Sequence, residues 1–285
     1  MANKTDIPWT EATLNPVSGC TPVDESCKNC YARAMIHRYA GCKGWPVHED
    51  VVTLWPERLK QLAKWKTPKM IFMPSMGDLF HSKVPDWFLY QVFDAILATP
   101  QHIYQILTKR IDRVGQFLKQ YSKYNVYLES KPMPRDRDKA IPLPLDNVWL
   151  GVSIGAGQKY ADERMPILLS IPAAVRFVSV EPMLEKIDFG FYNHHPRYGE
   201  MLDSHLRHLD WVICGAESGP GRRPFNTEWA RDLKNQCVDA GVPFFFKQGH
   251  DVNGKVVKMP ELDGKVWDEM PNVNFFQHFL SSTSF

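Results

Sequence analysis

The chain has 285 residues, 44% of them hydrophobic and 23% charged, which is enough apolar material to bury a substantial core in one α/β domain. Lys and Arg number 34 against 32 Asp and Glu, and the formal charge of +2 excludes a global polyanion-coating surface or an acidic tail. No apolar run approaches the ~18 to 20 residues that span a bilayer, and the polar start Met1-Ala2-Asn3-Lys4-Thr5-Asp6 is no secretory leader, so a cytoplasmic protein without membrane contact is expected.

The first distinctive segment runs from Asn15 to Ala32 and holds Cys20, Cys27 and Cys30, just ahead of a helical pattern. A structural zinc ion wants four protein ligands. Three close thiols with no fourth at matching spacing suit instead an iron-sulfur cluster that leaves one iron open to a substrate or cofactor. Zinc completed by Cys42 or by a histidine such as His37, and a set of disulfides, stay open at this level. Cys214 and Cys237 sit in apolar surroundings and read as small buried hydrophobes.

Beyond the cysteines, strand and helix patterns alternate. Residues 70–74 form an apolar run with strand character, and 85–97 follow with helical spacing at Phe88, Leu89, Val92, Phe93, Ile96 and Leu97. A strand at 102–108 and a helix at 112–121 come next. Residues 129–146, rich in proline and charge, read as an exposed inserted loop. Then come a strand at 148–153, a helix at 161–170 and a strand at 175–180. A second insert, 189–208, carries His194, His195, His205 and His208, which read as surface histidines for want of ligand spacing. A strand at 211–215, a helix at 227–240 with Thr227 as N-cap and Gly241 after its end, and a strand at 242–247 complete the series.

Nearly continuous apolar strands alternating with helices predict parallel strands covered on both faces. The expected fold is α/β, a partial (β/α) TIM-like barrel of six to seven parallel strands in one domain over 1–285, interrupted by the two inserts. The strands end in polar or glycine tips carrying Ser75, Gly77 and Asp78, then Lys109, Ser153, Glu181, Gly215 with Glu217, and Lys247. In a barrel such tips converge on one face and ring a single pocket.

Eight ordered motifs carry a resemblance. They are the opening from Ile7 to Cys20, Cys27-Lys28-Asn29-Cys30-Tyr31-Ala32, Ser75 to His81, Gln105 to Arg110, Trp149 to Ser153, Glu181-Pro182, Gly215 to Pro220 and Phe244 to Gln248. Together they resemble a family of phage and bacterial three-cysteine-motif proteins described as radical-SAM-like, and more widely the radical S-adenosylmethionine enzymes. That resemblance implies a [4Fe-4S] cluster on Cys20, Cys27 and Cys30, and S-adenosylmethionine as cofactor. It also implies cofactor contacts at Ser75, Gly77, Asp78, Lys109, Ser153, Glu181, Gly215 and Glu217, with Gly77 and Asp78 at the place where the superfamily holds the methionine amino group. A reductase or other electron donor is the implied partner. The spacing here is Cys-x6-Cys-x2-Cys where the superfamily has Cys-x3-Cys-x2-Cys, and Asn29 stands where an aromatic precedes the third cysteine.

Lys109, Arg110, Arg222, Arg223 and Lys247 would suit phosphate, so a nucleotide or nucleic acid is the expected substrate class. Two other readings fit the residues: a non-enzymatic metal- or cluster-binding nucleic-acid or regulatory protein, and a metal-dependent hydrolase built on Asp78, His81, Glu181 and Glu217.

Overall fold

In the computed structural model, which describes residues 5–123, 141–192 and 203–272, the expected alternation is present. Eight strands make one sheet: β1 (Ala12–Thr13), β2 (Met70–Met73), β3 (Ile103–Thr108), β4 (Val148–Ser153), β5 (Val175–Val180), β6 (Trp211–Gly215), β7 (Phe244–His250) and β8 (Val256–Lys258). They lie side by side in chain order. The first seven are parallel and the eighth closes the edge antiparallel to β7. With β1 and β8 at opposite edges, the sheet curls into an open half-barrel. Among the described residues five helices of nine residues or more accompany it: α1 (Tyr31–Tyr39), α2 (Asp86–Leu97), α3 (Ile111–Tyr121), α4 (Gln158–Ser170) and α5 (Thr227–Ala240).

The central parallel strands are mostly apolar because both of their faces are buried. Phe72, Ile103, Trp149, Val175, Phe177, Trp211, Ile213 and Phe245 alternate onto the inner face, where Trp9 joins them in one aromatic-rich cluster. The intervening residues, among them Ile71, Tyr104, Leu150, Val178, Val212 and Phe246, face the helices. A period of two thus reads as a continuous run when each face has its own core. The helices answer with one apolar stripe each, as in α3, where Ile111, Val114, Phe117, Leu118 and Tyr121 are buried.

Packing on the inner face is tight enough to dictate residue size. A Cβ on Gly151 would fall 2.3 to 2.6 Å from ring atoms of Phe177, its cross-strand partner. Gly151→Ala is therefore expected to destabilise the fold by about 1–3 kcal/mol, the usual cost of overpacking. Chemical denaturation checks this, and an unchanged midpoint would refute the steric account.

Several boundaries differ from expectation for identifiable reasons. The cap of α5 is Asn226 rather than Thr227, its side chain accepting from Glu228 N at 2.9 Å. Gly241 ends that helix at φ +70°, as expected. Helix α4 begins three residues before 161, where Gln158 binds Asp162 Oδ1 at 2.8 Å and the Asp188 carbonyl at 2.9 Å. Polar anchoring of that kind leaves no apolar periodicity. The last parallel strand starts at Phe244 and runs on to His250 because its distal end pairs with β8.

The inserts are partly outside the described residues, including His194 and His195 and most of 129–146. Where described, they are less exposed than expected. Ile141 and Leu145 are buried in the core shared with the helices. His205 is buried rather than on the surface, since the turn His205–His208 packs on α4 and α5. Among the described residues no helix is long and apolar enough to cross a membrane.

Candidate metal and cofactor site at the strand tips

The C-terminal ends of β2 to β7, with the cysteine loop that follows β1, surround a cavity of about 200 Å³. A single water needs ~10–15 Å³, so the space admits a small organic molecule. Its walls include Cys20, Cys27 and Cys30, then Ser75, Gly77, Asp78, Lys109, Ser153, Glu181, Glu217 and Lys247. Of the cofactor contacts expected at strand tips, Gly215 alone does not line the cavity. It backs Glu181 instead, since a Cβ there would come 3.1 Å from the Glu181 carboxyl carbon.

The cysteine loop is held by backbone pairing and by buried polar side chains. Gly19, at φ +86°, pairs with Gly77, and a Cβ on it would fall 2.1 Å from the Val51 carbonyl oxygen. Asn15 Oδ1 accepts from Ser75 N at 2.7 Å and Met76 N at 2.8 Å, fastening the tip of β2. Arg33 donates to the Cys20 carbonyl at 2.9 Å while paired with Asp50. Asp24 caps the helical turn Glu25–Cys27, accepting from Ser26 N at 3.1 Å. Cys30 is the N-cap residue of α1.

The three cysteines are free and half-buried. Cys42 is exposed, and neither it nor the exposed His37 lines the cavity. Among the described residues no group of three His, Cys, Asp or Glu side chains is gathered closely enough for a single ion. Thiolates that each bind a different iron of a cluster do not need to meet at one point, whereas zinc ligands do. Cys214 and Cys237 are buried in the core, as expected.

Charge around the cysteines is concentrated on two consecutive residues at the tip of β3. Lys109 Nζ binds Asp24 Oδ1 at 2.8 Å, Ser26 Oγ, and Cys27 Sγ at 3.4 Å. Arg110 binds Cys20 Sγ at 3.3 Å, Asp78 Oδ2 at 3.0 Å and the Thr21 carbonyl at 2.8 Å. Burial pushes the Cys20 thiol up to about 11 against the pull of Arg110. For Asp24 burial also opposes ionisation, but Lys109, Ser26 and Arg164 together hold it down at about 2.

Asp78 is saturated. Its four lone-pair positions take Phe80 N at 2.9 Å, Thr108 Oγ1 at 2.7 Å, Lys109 N at 3.2 Å and Arg110 Nη1 at 3.0 Å. The carboxylate thus organises the Thr108–Arg110 tip. Glu217 is similarly committed: it accepts from Asn29 Nδ2 at 3.0 Å, from Arg223 N at 2.8 Å and from the Arg223 guanidinium. Asn29 also donates to the Gly221 carbonyl at 2.8 Å. Asn29, just before Cys30, therefore fastens the cysteine loop to the loop after β6.

The five cations expected to meet phosphate are all engaged inside the protein. Lys109 and Arg110 are accounted for above, Arg223 pairs with Glu217, Lys247 with Glu181, and Arg222 donates to the carbonyls of Gly254 and Gly219. His81 is buried, its Nε2 at 2.8 Å from Thr21 Oγ1, and burial lowers its pKa. The four residues of the hydrolase reading form no metal cluster.

Sequence reasoning passed over Asp24, Arg164, Asn15 and Thr21. Asp24 had a local signal, an Asx cap two residues before a serine. Arg164 had none: it reaches from α4 to Asp24 Oδ2 at 2.9 Å and to the Ser153 carbonyl at 2.6 Å.

Fold and site together define an open α/β half-barrel with a cysteine-lined mouth. Residues 4–271 match the family described as "Protein of unknown function (DUF5131)", and the chain belongs to it. No curated protein gives a significant match. Among solved structures, a mutant of spore photoproduct lyase is similar with a TM-score of 0.43 at 11% identity, covering 88% of this chain and 68% of that one. Another mutant of the same enzyme, with bound AdoMet and dinucleoside spore photoproduct, has a TM-score of 0.45 at 9% identity, covering 96% and 72%.

Proposed function

We propose that this protein is a radical S-adenosylmethionine-type iron-sulfur enzyme whose substrate enters the cavity at the strand tips. One observation carries the reading: Cys20, Cys27 and Cys30, free and from a single loop, face a cavity shared with the polar tips of the parallel strands. Their chemistry fits a cluster. Thiolates are the preferred iron-sulfur ligands, no fourth cysteine lines the cavity among the described residues, and two cations offset the charge of the sulfurs.

When bound, such a cluster with S-adenosylmethionine at its open iron supplies a carbon-centred radical by one-electron cleavage of a carbon-sulfur bond. The chain's own residues position and shield. Ser153 and Ser179 offer hydroxyls, and Glu181 and Lys247 a paired charge, for the cofactor's polar groups. Trp9, Phe72 and Leu107 form an apolar wall that keeps water from the reacting atoms. Because the five basic residues are already paired, recognition falls to hydroxyls, amides and apolar walls. That suits a nucleobase moiety of a nucleotide or nucleic acid better than a bare phosphate.

Anaerobic reconstitution with iron and sulfide, then reduction in the presence of S-adenosylmethionine, is expected to release 5′-deoxyadenosine. A fully loaded cluster that never cleaves the cofactor would sink the proposal.

A further inference from the structure

Six residues separate Cys20 from Cys27, and near their centre Asp24 has no side-chain exposure. It holds two cations from different elements, Lys109 of the β3 tip and Arg164 of α4. Lys109 also donates to Cys27 Sγ at 3.4 Å, and its neighbour Arg110, braced by Asp78, donates to Cys20 Sγ at 3.3 Å. Two adjacent residues of one strand tip thus reach two different sulfurs. Each is aimed by its own buried carboxylate, which limits its freedom to turn elsewhere.

We propose that Lys109 and Arg110 are positioning residues that set the reduction potential of the cluster, an inference resting on Cys20, Cys27 and Cys30 being its ligands. Reduction by one electron adds one negative charge to the cluster and oxidises the donor by one electron. A cation hydrogen-bonded to a ligating sulfur stabilises the reduced form more than the oxidised form, so Lys109 and Arg110 raise the potential. The longer first spacing acquires a purpose, since it houses the carboxylate that aims Lys109. A merely structural role would alter cluster loading or stability and leave the potential of the loaded cluster unmoved.

The test is an EPR-monitored redox titration of the reconstituted full chain with dithionite as reductant and no S-adenosylmethionine present. Lys109→Met is expected to lower the reduced-to-oxidised ratio at a fixed potential about tenfold, a shift of about 59 mV to the negative for a one-electron couple. Arg110→Met is expected to shift it in the same direction, while Lys109→Arg and Arg110→Lys restore most of the wild-type value. Should Lys109→Met fail to fold with Asp24 left short of a partner, Asp24→Asn/Lys109→Met/Arg164→Met removes all three charges of the network and permits the same measurement. Loaded variants that titrate like the wild type overturn the inference alone. A wild-type protein that takes up no iron overturns it together with the proposed function.

Discussion

Replacing Cys20, Cys27 or Cys30 singly with alanine is expected to remove most cluster iron and to abolish 5′-deoxyadenosine formation, whereas Cys42→Ala leaves both at wild-type levels. A cluster with three protein thiolates has no spare ligand, so losing one exposes a second iron and leaves the assembly labile. Cys42 is exposed and away from the cavity, and no other cysteine borders it among the described residues. Iron and sulfide content with the visible spectrum after anaerobic reconstitution separates the outcomes. A Cys27→Ala protein that keeps its iron, or a Cys42→Ala protein that loses it, contradicts the assignment of ligands.

Asp24→Ala is expected to destabilise the protein by about 3 kcal/mol, because removing one member of a buried charge network leaves the others uncompensated. Both Lys109, 19% exposed, and Arg164, 9% exposed, would lose their carboxylate. The pH dependence gives an independent check. Asp24 falls from an ordinary 3.8 to about 2 in the folded protein, so its unfolded form binds the proton more readily. The ionised carboxylate therefore contributes stability that is fully present above pH ~4 and lost as the pH falls through about 2, in total about 2 kcal/mol. Denaturation of wild type and Asp24→Asn across that window should show their difference shrinking toward the acid end. A difference that stays constant down to pH 2 argues against an ionised Asp24.

Much of the architecture was legible because parallel strands buried on both faces leave unbroken apolar runs. Each run from Met70 to Gly215 that reads as a strand is one within a residue. Elements without an apolar signal escaped: the pair Ala12–Thr13 is too short to show a period, and β8 has exposed residues. The candidate site was legible as a set of strand tips but not as a set of partners. Asp78 and Glu217 look alike in the chain as acidic tips, yet each is filled by protein donors, one bracing Arg110 and the other Asn29 and Arg223.

What the sequence by itself determined is therefore the order of the strands from Met70 to Gly215, the placing of three cysteines in one loop, and the gathering of polar tips on one face. These follow from local periodicity, spacing and the geometry of parallel winding. Only the tertiary structure decided which charges are available to a ligand. Lys109 meets Asp24 across 85 residues and Lys247 meets Glu181 across 66, and pairing over such separations depends on where strand tips converge, which no local pattern records.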